Sequence, residues 1–309
     1  MGILAPMEPV IIEAAINGGT PSSRNPHVPR MPEQIAADAL ACLAAGASII
    51  HNHIEDITLT GAPAAARYAE GWAAVLAARP DAIICPTLTI CPDPAEAVAH
   101  LAPCAGAGAT MAPLDPGSVN ICDTGPDGLP GERRFLYVNS FDLIDHSVCT
   151  LETSGLGPSV AIYEPGFLRT VLGYHRAGRL PQGTLIKLYF GGAYDFIGSE
   201  PHSQQKAPAF SFGLPPTRKA LDAYLEMLDG TGLPWAVCIL GGDCGTSDLA
   251  QYALTLGGHL RVGLEDFGGV VQPANVELVE QAVSLVRASG RTLATCAQAR
   301  AILGLPAQS

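Results

Sequence analysis

The chain has 309 residues, 48% of them hydrophobic and 15% charged, with 29 acidic side chains against 17 lysines and arginines for a formal net charge of −12. That apolar content can fill a large core, and the acidic balance argues against a nucleic acid or an anionic membrane surface as partner. Nine scattered cysteines without a CxxC pair read as reduced thiols. With no secretory signal and no apolar run of about 20 residues, a cytoplasmic location is expected.

Taken in order, apolar runs predict strands over Val10–Ile16, Ser48–Ile54, Ala82–Thr89, Ala109–Leu114, Ser159–Tyr163, Leu185–Phe190, Trp235–Leu240 and Leu260–Leu264. Segments of helical period fall between them, at Pro32–Ala45, Pro63–Ala78, Phe167–Arg176, Thr217–Asp229 and Ser247–Leu256. A further helix, Ala274–Ala288, follows the last strand. Eight alternating units without a composition break predict an α/β fold, a single (β/α)8 TIM-barrel domain over residues 1–309. A doubly wound open sheet is the alternative, but the glycine fingerprint for dinucleotides and the phosphate-loop signature are both absent. The Gly-, Pro- and Asp-rich stretch Asp115–Arg134 and the aperiodic stretch Ala193–Pro216 read as long loops. Each follows a strand, so each would lie over the carboxyl-end mouth of the barrel.

The second strand runs into His51-Asn52-His53. Side chains two apart on a strand share a face, so the two imidazoles can converge on one point at the end where α/β folds bind ligands. A divalent metal suits that arrangement, most readily zinc, with a carboxylate as third ligand and an open position. The acidic pair Glu265-Asp266, at the end of the last strand, is the best source of that carboxylate. Manganese, cobalt and iron accept the same donors.

Several motifs carry a resemblance: Ala14-Ala15-Ile16-Asn17-Gly18-Gly19, Gly46 through His53, Ile162-Tyr163-Glu164-Pro165-Gly166, Trp235-Ala236-Val237, Gly258 through Asp266 and Gly290 through Thr295. In this order and spacing the chain resembles the β-keto acid cleavage enzymes over nearly its whole length. The resemblance implies a zinc-dependent TIM barrel that condenses a β-keto acid with acetyl-CoA, releasing acetoacetate and a new acyl-CoA. It implies His51, His53 and Glu265 as metal ligands and Asp266 as general base, oriented by Arg261 and kept charged by that guanidinium. Glu164 would touch a metal-bound water or the substrate, and Asn17, Thr20, Thr87 and Asp115 would line the substrate site. A homo-oligomer, and a tetramer in particular, is expected. A zinc hydrolase on the same barrel, with Asp266 deprotonating a water, is the alternative function.

Departures from the family pattern bear on specificity. Thr20 stands where members with amine substrates carry an acid, and Pro113-Leu114-Asp115 replaces a Thr-Leu-Asn pattern. Gly241-Gly242-Asp243-Cys244 lacks the usual cation, which leaves Arg169, Lys206, Arg218 and Lys219 as candidates to meet CoA phosphates.

Overall fold

A computed structural model of the chain describes residues 8–124, 127, 129–194 and 212–305. Lys206 and most of the Ala193–Pro216 stretch lie outside them. The strands are β1 (Ile12–Ala15), β2 (Ile49–His51), β3 (Ile83–Cys85), β4 (Met111–Leu114), β5 (Val119–Thr124), β6 (Pro130–Tyr137), β7 (Gly157–Ile162), β8 (Leu185–Gly191), β9 (Trp235–Leu240) and β10 (His259–Val262). Eight of these form one parallel sheet in the order β3-β2-β1-β10-β9-β8-β7-β4. At the seam, the Thr110 amide beside β4 donates to the Ile84 carbonyl of β3 at 3.0 Å, which brings the ring close to closure. The (β/α)8 barrel is therefore observed, and the open-sheet alternative is excluded.

The helices are α1 (Pro32–Ala45), α2 (Gly61–Ala78), α3 (Pro94–Val98), α4 (Leu101–Gly106), α5 (Phe141–Ser154), α6 (Pro165–Arg176), α7 (Arg218–Leu228), α8 (Asp248–Thr255), α9 (Asn275–Ala288) and α10 (Cys296–Leu303). The outward side chains of the barrel strands, such as Ile12, Ile50, Ile84, Val160, Ile186, Val237 and Leu260, share one core with the apolar faces of the surrounding helices. On α9 that face is Val279, Ala282, Val283 and Val286. Full burial of a side chain such as Val279 or Val286 contributes about 1.5–3 kcal/mol.

Inside the ring, alternate residues stack in layers. The floor is apolar, with Ile11, Ile49, Ile83, Met111, Leu185 and Ala236 packed on Ala299, Leu303 and Leu305 of the carboxyl-terminal segment. Gly157 and Gly183 leave room for this plug: a Cβ on either would lie 2.5 Å from Leu305 Cδ2. The next layer up is charged, built from Glu13, Lys187 and Arg261.

Two expectations are corrected. The segment after β4 is not an unstructured loop: β5 and β6 pair antiparallel from Val119↔Tyr137 to Thr124↔Pro130, with a register irregularity between Cys122 and Thr124. Its Gly, Pro and Asp content masks the alternation that buries Val119 and Ile121. The strand expected over Ser48–Ile54 ends at His51, so His53 lies past it. There the ladder is replaced by Asn17, whose side chain accepts from the His53 amide at 2.8 Å and donates to the His53 carbonyl at 3.0 Å.

Candidate active site

His51, His53 and Glu265 each offer one donor atom, all within 4.8 Å of one another, where the carboxyl ends of β2 and β10 face each other across β1. His51 Nε2 lies 3.2 Å from Glu265 Oε2, and His53 Nε2 lies 3.5 Å from Glu265 Oε1. The two imidazoles meet edge-on, with ring centres 5.2 Å apart. His51 Nδ1 sits 3.1 Å from the Cys85 carbonyl. Because a carbonyl only accepts, Nδ1 carries the proton and the Nε2 lone pair points at the cluster. Burial holds the His51 imidazole down to about 4, only partly offset by Glu265, so it is neutral at pH 7.

Glu265 is charged. Burial alone would raise its carboxyl, but the Arg261 guanidinium and the two imidazoles hold it well below the usual carboxylate range. Both ring nitrogens of His53 and Oε2 of Glu265 are buried without a hydrogen-bond partner. Lone pairs facing each other with no proton between them are costly when buried, and a divalent cation at their centre would satisfy one ring nitrogen each of His51 and His53 together with the Glu265 carboxylate. The donor set therefore fits a metal. Gly18 completes the cradle: its φ is +50°, and a Cβ there would lie 2.8 Å from Glu265 Cβ and 2.9 Å from Cδ.

Beneath and beside the cluster runs a chain of ion pairs. The Arg261 guanidinium donates to both carboxylate oxygens of Asp266, at 2.8 and 3.1 Å, to Glu13 Oε1 at 2.6 Å, and reaches Glu265 Oε1 at 3.0 Å. Lys187 Nζ adds a second cation 3.2 Å from Glu13 Oε1. Arg261 and Glu13 are each 1% exposed in their side chains, and both cations lie over the Tyr189 ring. Burial raises the Asp266 carboxyl above its usual range despite Arg261, where pairing alone was expected to lower it. A buried carboxylate shifted upward is a better proton acceptor.

The remaining predicted residues take varied places. Asn17 spends its amide on the backbone of Pro29, His53 and Gly18. The Thr20 hydroxyl donates to the Leu264 carbonyl at 2.7 Å, steadying the residue before Glu265. Thr87 lies half-buried past β3, since the strand expected over Ala82–Thr89 ends at Cys85; it receives the His100 ring on its carbonyl at 2.8 Å and donates its amide to the Tyr68 hydroxyl. Asp115 is buried, its carboxyl raised by that burial against the hydrogen bond from the Tyr137 hydroxyl of β6. The hairpin is thereby tied to the barrel mouth. Glu164 stands at the N-cap position of α6, but its side chain makes no capping hydrogen bond and instead accepts from the Gly213 amide at 2.8 Å. Arg218 stacks over Tyr252, and Arg169 is exposed on α6.

Sequence reasoning did not single out Glu13, Lys187, Arg30 or the aromatic group of Tyr137, Tyr163 and Tyr189. For Glu13 and Lys187 a signal existed: each is a lone charge inside an otherwise apolar strand.

The chain is similar to known proteins over nearly its whole length. The chain is 29% identical over 305 residues to a 3-keto-5-aminohexanoate cleavage enzyme of Fusobacterium nucleatum, covering 97% of this chain and 99% of that one. It is 27% identical over 309 residues to a 3-oxoadipate:acetyl-CoA acetyltransferase of Cupriavidus necator, covering 97% and 96%. The apo structure of ObcA shares the fold at a TM-score of 0.63 and 18% identity, over 91% of this chain and 66% of that chain. A family model for beta-keto acid cleavage enzymes matches residues 9–305, nearly the whole chain, and the protein belongs to that family.

Proposed function

We propose that the protein transfers an acyl group between carbon and sulfur: a β-keto acid and acetyl-CoA are converted to acetoacetate and the acyl-CoA of the former keto acid. The reaction balances, since the acetyl group leaves sulfur for carbon and the other acyl group makes the reverse move. The observation that carries this reading is the convergence of His51, His53 and Glu265 beside the Arg261–Asp266 pair in a barrel of this family.

His51 Nε2, His53 and Glu265 would hold one divalent cation, zinc being the best match to two imidazoles and a carboxylate. Its chemistry at this site is Lewis-acid polarisation of the substrate's ketone. Asp266 would take the proton from the carbon between ketone and carboxylate, with Arg261 fixing the orientation of both its oxygens. Two cations face three carboxylates in this cluster, Lys187 and Arg261 against Glu13, Glu265 and Asp266. A divalent ion reverses that balance and favours a carboxylate substrate. Asp115, Thr87 and Glu164 are proposed to line the rest of the pocket.

The test incubates metal-loaded protein with a panel of β-keto acids, with and without acetyl-CoA, and measures acetoacetate and acyl-CoA. Turnover that needs acetyl-CoA supports the transferase. Hydrolysis at the same rate without it would instead support the metal hydrolase.

A further inference from the structure

Several buried or half-buried arginines are paired with carboxylates, and among the described residues Arg30 is not. Arg261 is met by Glu13, Glu265 and Asp266, Arg67 by Glu55 and Glu70, and Arg79 by Asp81. No carboxylate among the described residues pairs with Arg30, although it is half-buried and burial lowers its pKa. The guanidinium is instead held by two main-chain carbonyls: Nη1 donates to Gly18 at 3.2 Å, and Nη2 donates to Thr20.

Those carbonyls belong to the turn that cradles the metal-ligand cluster. Gly18 packs on Glu265, and the Thr20 hydroxyl holds the Leu264 carbonyl. On the other side, the carbonyl of Pro29, the residue before Arg30, accepts from Asn17 at 3.0 Å, and Asn17 also clamps His53. The guanidinium is thus fixed to the same turn as two of the three metal ligands. Two contacts leave the rest of its five-donor fork, and a planar fork matches a carboxylate with two parallel hydrogen bonds. A partly desolvated cation without a counter-charge, anchored on the turn that packs against Glu265, favours an anion as its partner. Thr20 agrees with this, since an acid on that turn would compete for the guanidinium.

We propose that Arg30 is a specificity-determining residue that binds an anionic group at the far end of the substrate, making the preferred substrate a β-keto acid with a second carboxylate. This rests on the reading under Proposed function and narrows its substrate class.

The experiment compares 3-oxoadipate with 3-oxohexanoate, a chain of equal length that lacks the second carboxylate, each with acetyl-CoA, in wild type, Arg30→Met and Arg30→Lys. Calorimetric binding of adipate is measured alongside. Wild type should prefer 3-oxoadipate, and Arg30→Met should cut the ratio of kcat/KM values by about 10- to 100-fold, the range of a charge-assisted pair. The loss should appear in KM for the dicarboxylate rather than in kcat, with Arg30→Lys intermediate. An unchanged ratio in Arg30→Met overturns the proposal. So does a rise confined to the KM for acetyl-CoA, which would place Arg30 on a phosphate of that co-substrate. If wild type turns over neither these acids nor any other of the β-keto acid panel, the functional reading fails by itself. Adipate binding then decides the role of Arg30: weakening in Arg30→Met supports an anion site, and equal affinity refutes it. Arg30→Lys supplies the same comparison should Arg30→Met fail to fold.

Discussion

The Glu13 carboxylate and the Arg261 guanidinium meet 2.6 Å apart in the interior of the barrel, between the apolar floor and the His51, His53 and Glu265 cluster. Burial opposes the charge on Glu13, but Lys187 and Arg261 outweigh it and hold the carboxyl at about 2 instead of 4.5. The folded value is depressed, so the stabilisation is complete above pH 4.5 and is lost as the pH falls through 2. It corresponds to about 3 kcal/mol. Glu13→Gln should therefore be less stable at pH 7 by roughly that amount, with the gap closing between pH 4.5 and 2. Urea unfolding of both proteins across that range checks it, and a gap that does not narrow with acid would count against the charge network.

Metal content is the second prediction. The purified protein should hold about one divalent ion per chain, and a chelator should lower its Tm, because an ion bound only by the folded state stabilises that state. Elemental analysis of the His51→Ala, His53→Ala double variant should show the metal lost. Full occupancy in that variant would sink the ligand assignment.

Asp266→Asn should fold, retain metal and turn over at least ~100-fold more slowly, the usual contribution of a positioned general base. Steady-state kinetics together with metal analysis separates loss of the base from loss of the site. Near wild-type turnover would remove Asp266 from the chemistry.

Gly18→Ala should weaken metal binding by about 10- to 100-fold, the scale seen when groups supporting a ligand are disturbed. The added Cβ must displace Glu265 and adopt a positive φ. Titration of apo protein with Zn2+ measures this directly, and an unchanged affinity would mean that Glu265 has room to move.

Association of subunits can be read from light scattering. We expect a homo-oligomer, a tetramer in mass, since Phe135, Leu136, Val138 and Phe141 stand 45%, 58%, 56% and 71% exposed on and just beyond β6. A monomer at micromolar concentration would contradict it.

The barrel and the convergence of His51, His53 and Glu265 were legible because both rest on local pattern. Ile49-Ile50 marks a strand, His51 and His53 follow at its end, and Glu265 closes another strand run. Partnership across the barrel is not local. Glu13 and Lys187 lie 174 residues apart, and only closure of the ring makes two odd charges into one pair. The same holds for Asp266: its proximity to Arg261 was readable, but the depth of burial that raises its pKa was not. For Val119–Tyr137, turn-forming residues hid a period of two that pairing restored.

The neighbour order of the strands also constrains synthesis on the ribosome. β1 pairs with β2 and β10, so the second edge of the first strand stays open until His259–Val262 has been made. Until then Ile11, Glu13 and the rim of β1 face water or a holding factor. The nascent chain thus carries an open hydrophobic edge until β10 emerges, a vulnerability that a stable finished barrel conceals.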